Sequence, residues 1–124
     1  MVARVLRIRD FLVASIPAEF TDSQWQELQD ELLQRSAESF VRAAVIDVGG
    51  MVIIDSFAGR TLNSLAQMLL LRGVRSVVVG IRPAVAFAMV QLGLRLEGVE
   101  TALDLDSGLA LLEADAPPAA EPTT

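Results

Sequence analysis

Asp55 and Ser56 are the two residues of this chain whose positions most favour chemistry. They follow an apolar run that ends at Ile54, and an Ala- and Leu-rich segment of helical character continues from Phe57 to Leu71. The pattern therefore places the dipeptide at a helix start, where either side chain can cap free backbone N–H groups. Because a helix N-terminus also favours negative charge, Ser56 is interpreted either as a plain capping residue or as an acceptor of a phosphoryl group.

The residue types that the chain lacks remove most enzyme mechanisms. The sequence contains no histidine, cysteine, lysine or tyrosine, and all ten basic residues are arginine. Histidine general bases, Schiff-base lysines, thiolate nucleophiles and the nitrogen and sulfur ligands of zinc are therefore excluded. Only carboxylates, arginines and hydroxyl groups remain, so we predict no catalytic residue and no cofactor.

Other aspartates of the chain form two weaker candidate sites. Asp47 and Asp55 are a candidate metal pair, but the first is expected to end a strand and the second to cap a helix, so no metal site is predicted. Asp104, Asp106 and Ser107 spell a D-x-D-S pattern that faintly resembles acid-phosphatase loops. Because these residues open a leucine-rich segment, we interpret them as a helix cap.

Composition and charge limit the class of protein and its partners. The 124 residues are 52% hydrophobic, yet no apolar stretch approaches the roughly 18 to 20 residues that span a bilayer. The net charge of −6 and the scattered arginines disfavour nucleic-acid binding, which needs a clustered basic face. The first ten residues carry three arginines and lack the continuous apolar core of a secretory signal peptide, so we expect none there. We expect a soluble, cytoplasmic protein without nucleic-acid or membrane partners.

The remaining pattern predicts an α/β fold with a mixed sheet. Two β-rich runs predict an N-terminal hairpin, and Thr21 and Gln24 form a capping box that opens an amphipathic helix ending near Ser36. Strands linked through helices should be parallel, whereas the hairpin adds an antiparallel member. The hairpin strands are predicted at 2–8 and 11–16, later strands at 41–48, 74–79 and 96–99, and later helices at 57–71, 83–92 and from 104 or 106 to 112.

Length and composition also predict the domain organisation. A chain of this size suits one domain with a hydrophobic core, which we expect to cover residues 1–113. Residues 114–124 contain three prolines among alanines and polar residues, so we expect a disordered tail there.

The predicted helix at 83–92 has no charged residue, and Gln91 is its one polar side chain. A helix that covers one face of a sheet normally shows water a polar side. This segment is therefore expected either to be buried on all sides or to form an association surface.

Three blocks of the sequence together resemble the STAS-domain family. The first, VIDVGGMVIIDSFAGRTL at 45–62, looks like the core motif of these domains, in which a strand ending in Asp is followed by a loop and by Asp-Ser at a helix start. The blocks VVVGIRPAVAFAMVQLGL at 77–94 and ETALDLDSGLALL at 100–112 extend the resemblance to the RsbS family of small single-domain stressosome proteins. This resemblance implies a STAS-type fold and a non-enzymatic scaffold.

The resemblance also implies a phosphorylation switch and its partners. Ser56 would be phosphorylated by a serine/threonine protein kinase of the RsbT type, which the unphosphorylated scaffold sequesters in a bacterial stress response. The scaffold would form homo- and hetero-oligomers with RsbR-like STAS paralogues that carry sensory domains. The switch surface near the site would comprise Asp47, Gly49, Asp55 and Phe57.

Two departures from the family pattern carry expectations of their own. Gly49 stands where many members have serine, so the loop beneath Ser56 is expected to be more mobile. No serine or threonine occurs at 83–99, where sensory paralogues can carry a second acceptor. We therefore expect one phosphorylation site.

Two alternatives remain open. A free anti-sigma-factor antagonist has the same fold and binds an anti-sigma kinase as a monomer or dimer. A small α/β hydrolase or phosphatase would use Ser56 or Asp55 as nucleophile. The second is weaker, because Ile54 occupies the first glycine position of a G-x-S-x-G motif and no histidine is present.

Overall fold

The computed structural model describes residues 4–38 and 40–114, and five strands within them form one mixed sheet. The hairpin strands pair antiparallel and are joined by Arg9 and Asp10, whereas the later neighbours pair parallel. The α/β class, the mixed sheet and the N-terminal hairpin are therefore confirmed. In their order across the sheet the strands are β1 (Arg4–Ile8), β2 (Phe11–Ser15), β3 (Ala43–Asp47), β4 (Arg75–Val79) and β5 (Glu100–Ala102).

In the described part of the chain, four helices begin at the sequence signals that predicted them. The Thr21 hydroxyl accepts from the Gln24 N–H, and the Gln24 side chain accepts from the Thr21 N–H, so the predicted capping box is present. Pro83 occupies the first turn of the third helix, where its missing N–H costs nothing. None of the helices among the described residues is long and apolar enough to cross a membrane. The helices are α1 (Asp22–Arg35), α2 (Ser56–Leu71), α3 (Pro83–Gln91) and α4 (Leu105–Ala114).

The helices cover the two faces of the sheet unequally. Buried residues of α1, α2 and α3, among them Trp25, Leu65 and Val85, join the alternate side chains of the strands in one core. On the opposite face, Leu112 of α4 completes a smaller core. A Cβ atom at Gly108 would lie 2.6 Å from a methyl carbon of Val79, so α4 lies close against the sheet.

The fifth strand lies later in the chain than the sequence pattern predicted. Residues 96–99 form a loop in which Gly98 has a φ of +70°, and the strand begins at Glu100. Leu96 and Val99 are partly buried and pack against the core to which α1, α2 and α3 contribute, and they do not pair with β4. Ala114, predicted as the first residue of a disordered tail, ends α4. The rest of that predicted tail lies outside the described residues.

The carboxyl ends of β3 and β4 bring two glycine loops together at one edge of the sheet. The Val48 N–H donates to the Val79 carbonyl at 3.0 Å and continues the ladder beyond the strands. Gly80 has a φ of +79°, and a Cβ atom there would lie 3.0 Å from the nitrogen and the Cα atom of Gly49. Glycine avoids both the strain of this φ and the close contact of a Cβ atom with Gly49. The loop between β3 and α2 is thereby set against the neighbouring loop before it reaches Ser56.

Candidate functional site

Asp55 caps α2, and Ser56 is the first residue of the helix. The Oδ1 atom of Asp55 accepts the Ala58 N–H at 2.8 Å, and its backbone is extended, with φ −107° and ψ 177°. The Asp55 carbonyl accepts the Gly59 N–H at 3.0 Å. One residue therefore supplies both the side-chain cap and the first helical acceptor. The interpretation of Ser56 as the plain cap is wrong.

Ser56 is half-buried, and its hydroxyl has no hydrogen-bond partner among the described residues. The backbone N–H groups of Ser56 and Phe57 likewise have no acceptor within the residues that the structure describes. These are two of the donors that every helix start leaves free. Helix N-termini bind anions through such free N–H groups. A phosphoryl group on the Ser56 oxygen could therefore accept hydrogen bonds from the N–H groups of Ser56 itself and of the next residue.

The loop that leads to Ser56 is held at Gly49. The Gly49 N–H donates to Oδ1 of Asp47 at 2.9 Å, and the Gly49 carbonyl accepts Nε of Arg82 at 2.7 Å. Both backbone groups of this glycine are engaged, so the hydrogen bonds give no support to the greater mobility expected of the loop. The hydrogen bond from Arg82 to Gly49 was not predicted from the sequence. The available signal was the position of Arg82 between the end of a predicted strand and the proline that opens the next helix, which places it at this edge of the sheet.

Apolar side chains surround the helix start. Val52 and Ile53 are exposed in the loop before it, and Phe57 is half-buried on its first turn. Beside the cap lies a hollow of about 150 Å³, lined by Ala18, Phe20, Trp25, Met51, Ile53, Asp55 and Ala58. Exposed apolar groups next to a carboxylate and a hydroxyl form a surface that a protein partner can cover.

The acidic residues of the candidate sites have structural roles. Asp47 ends β3 and binds Gly49, and Asp55 caps α2, as predicted for each. No group of three or more acidic residues that could hold a metal ion occurs among the described residues. Oδ1 of Asp104 accepts the Ser107 N–H at 2.8 Å, and hydrogen bonds from Ser107 lower the pKa of Asp104. The D-x-D-S pattern is therefore the cap of α4, as predicted.

The surface of α3 is apolar and open to solvent. Val85 and Met89 are buried in the larger core, whereas Phe87 and Val90 are 67% and 77% exposed. The alternative in which this helix is buried on all sides is therefore wrong. Its outer face has the character that was expected of an association surface.

Comparisons with known proteins give one consistent result. The family model described as STAS domain matches residues 3–107. A serine-to-glutamate variant of RsbS from Moorella thermoacetica superposes with a TM-score of 0.79 at 32% identity, over 90% of this chain and 95% of that chain. A chain from a structure of the stressosome, described as a signal integration and transduction hub, gives 0.74 at 32% identity, over 90% and 96%.

One relative by sequence and one neighbour by structure extend the comparison. RsbT co-antagonist protein RsbRC of Bacillus subtilis is 37% identical over 83 residues, which is 67% of this chain. The match covers 29% of RsbRC, so the chain corresponds to less than a third of that relative. The anti-sigma factor antagonist SpoIIAA has a TM-score of 0.72 at 11% identity, over 94% of this chain and all of that chain, and so shares the fold alone.

Proposed function

The chain belongs to the STAS-domain family, and we propose that it is a non-enzymatic scaffold and phosphorylation switch with Ser56 as its one acceptor. A serine/threonine kinase of the RsbT type transfers the terminal phosphoryl group of ATP to the Ser56 oxygen, which loses its proton, and ADP leaves. The unphosphorylated chain retains this kinase, and the phosphorylated chain releases it in a bacterial stress response. The span of the family match supports one STAS domain over most of the chain.

The free hydroxyl of Ser56 at an already capped helix start carries this proposal. Because Asp55 supplies the cap, phosphorylation removes no hydrogen bond from the helix. The modification adds about 1.5 to 2 negative charges beside Asp55, next to the exposed Val52 and Ile53. A partner that covers these apolar groups must also bury the new charge, which costs binding energy. The modification therefore changes a surface more than it changes the fold.

The partners in this proposal are STAS-domain proteins as well as the kinase. Relatives of the chain include two proteins named RsbT co-antagonists, RsbRC and RsbRB, and a chain from the stressosome. We place the contact on the outer face of α3, around Phe87 and Val90, because residues 83–94 carry no charge. Two chains of net charge −6 repel each other least where each presents such a face.

Phosphate mapping tests the acceptor. The chain is incubated with an RsbT-type kinase and ATP, and its intact mass and phosphopeptides are measured. We expect one phosphate, located on Ser56 and absent from Ser56→Ala. Ser107→Ala is the matched control, since Ser107 also lies in the first turn of a capped helix. Phosphate at Ser107, or a second phosphate elsewhere, would contradict the single switch.

Kinase retention tests the consequence of phosphorylation. Ser56→Ala should keep the kinase bound in the presence of ATP, and Ser56→Asp should bind it about tenfold more weakly, because a partner that covers this surface must bury the new charge. Ser107→Asp adds the same charge at the start of α4 and should bind like the parent. Equal kinase affinity for parent, Ser56→Asp and phosphorylated chain would refute the release mechanism.

A further inference from the structure

Arg60 is an arginine of α2 whose guanidinium is not engaged. Within the part of the chain whose side chains the structure describes, Arg60 and Arg95 have no acidic partner and no hydrogen-bond acceptor. Each of the other described arginine side chains binds a carboxylate, a carbonyl or a hydroxyl, namely those of Arg7, Arg9, Arg35, Arg42, Arg72, Arg75 and Arg82. A free cation on a helix that begins with a phosphate acceptor needs an explanation.

Helix geometry places Arg60 beside Ser56. Residues four apart in an α-helix are surface neighbours, with Cβ atoms about 5 to 6 Å apart. The same face of α2 continues into an open groove of about 570 Å³, lined by Arg60, Asn63, Ser64, Gln67 and Met68. The amides of Asn63 and Gln67 donate to the carbonyls of Arg95 and Glu97, at 2.7 Å and 2.6 Å. Among the residues that line this groove, Arg60 is therefore the charged one, and it is also the lining residue nearest to Ser56 in sequence.

Of the two arginines on the elements around Ser56, Arg60 is the one that lies on the helix of Ser56 itself. At this edge of the sheet Arg82 is the one basic residue of the loops, and its Nε atom is engaged by the Gly49 carbonyl. The remaining charged residues of these loops and the helix starts that follow them are acidic: Glu19, Asp22, Asp47, Asp55, Asp104 and Asp106. A phosphoryl dianion formed at Ser56 is therefore close to carboxylates, and the two free N–H groups of the helix start and the guanidinium of Arg60 oppose their repulsion.

We propose that Arg60 is a positioning residue that binds the phosphoryl group of phosphorylated Ser56 and turns it toward the groove of α2. This inference rests on the function proposed for Ser56. A guanidinium donates two parallel hydrogen bonds to phosphate oxygens, so it fixes the direction of the group as well as its charge. The pairing draws the phosphate away from Asp55 and stabilises its dianionic form.

The test places phosphoserine at position 56 by genetic encoding, so that no kinase is required. Phosphorus NMR then follows the second ionisation of the phosphate with pH in the parent, Arg60→Gln, Arg60→Lys and Arg95→Gln. We expect the phosphate pKa to be about 0.3 unit higher in Arg60→Gln than in the parent, the size of an ion pair one turn apart on a helix. Arg60→Lys should restore most of the shift, and Arg95→Gln should leave it unchanged.

Salt gives a second readout. At about 1 M ionic strength charges are screened beyond about 3 Å, so the difference in phosphate pKa between parent and Arg60→Gln should shrink. Equal phosphate pKa values in parent and Arg60→Gln, or an equal rise in Arg95→Gln, would overturn the role of Arg60. A kinase that leaves Ser56 of the parent unmodified would instead overturn the proposed function. The NMR comparison decides the role of Arg60 in either case.

Discussion

Asp10 and Arg42 join the hairpin turn to the start of β3. The Arg42 side chain donates to the Asp10 carboxylate and lies 5.0 Å from the centre of the Phe11 ring, and its backbone N–H donates to the Asp10 carbonyl at 2.9 Å. The hydrogen bond from Arg42 lowers the pKa of Asp10, although burial opposes the change. A single residue of the turn thus links the stability of the fold to pH.

The sign of that link follows from the lowered pKa of Asp10. The pair stabilises the fold at any pH above the ordinary carboxyl pKa, and the contribution is lost as the pH falls through the lower pKa of the folded state. Asp10→Asn should cost up to about 1 kcal/mol at neutral pH, and this cost should fade in acid. Urea unfolding across pH measures it, with the exposed Asp30→Asn as the control. A cost that stays constant into acid would contradict the argument.

Ser76 is a polar residue in the core without a hydrogen-bond partner. It is 4% exposed on β4, and its hydroxyl has no acceptor or donor among the described residues. A buried hydroxyl without a partner loses its hydrogen bonds to water on folding and gains none in the protein, which lowers the free energy of unfolding. Ser76→Ala should therefore raise the free energy of unfolding by about 1 kcal/mol. Val78→Ala, two residues along the same strand, should instead lower it, and a loss of stability in both variants would show that the Ser76 hydroxyl is bonded.

At the scale of the elements, two glycines in loops that follow a helix and a strand allow the cost of backbone strain to be measured apart from the cost of a steric clash. Gly73 and Gly80 both have a φ of +79°, but a Cβ atom meets nothing within 4 Å at Gly73, whereas at Gly80 it meets the backbone of Gly49. Gly73→Ala should cost about 1 to 2 kcal/mol through strain alone. Gly80→Ala should cost at least about 1 kcal/mol more, because the loop before Ser56 must move. Equal losses of unfolding free energy for Gly73→Ala and Gly80→Ala, measured with denaturant, would mean that the loops at Gly49 and Gly80 move apart at no cost.

The elements also show which features local sequence could predict. The capping box at Thr21, the proline that opens α3 and the family motif around Ser56 are local signals, and the structure and the family match confirm the helices and the STAS fold. The start of β5 was misplaced, since its three residues form a strand only by pairing with β4. The Arg82 contact joins residues 33 apart in sequence, and no local pattern reveals such a bond.

At the scale of the whole molecule, the outer face of α3 should decide assembly. Val90→Glu places a charge on a face that has none, so mixing with an RsbR-like paralogue should yield only small species by light scattering. Leu71→Glu is the matched control, because Leu71 is 89% exposed at the end of α2. It should form the same large particle as the parent. Normal assembly of Val90→Glu would exclude α3 from the contact, and a parent that always stays small would favour the free antagonist.

The outer edge of the sheet bears on how such an assembly can grow. Arg35, the last residue of α1, donates to the carbonyl of Val5 on the edge strand β1 at 3.0 Å, and Glu38 pairs with Arg35 and Arg7 beside it. The opposite edge strand has three residues. Exposed strand edges are where sheets of neighbouring molecules join without limit into fibres. A guanidinium on one edge and a short strand on the other leave little free strand edge for a second sheet to pair with, so we expect copies of the chain to associate through their helices.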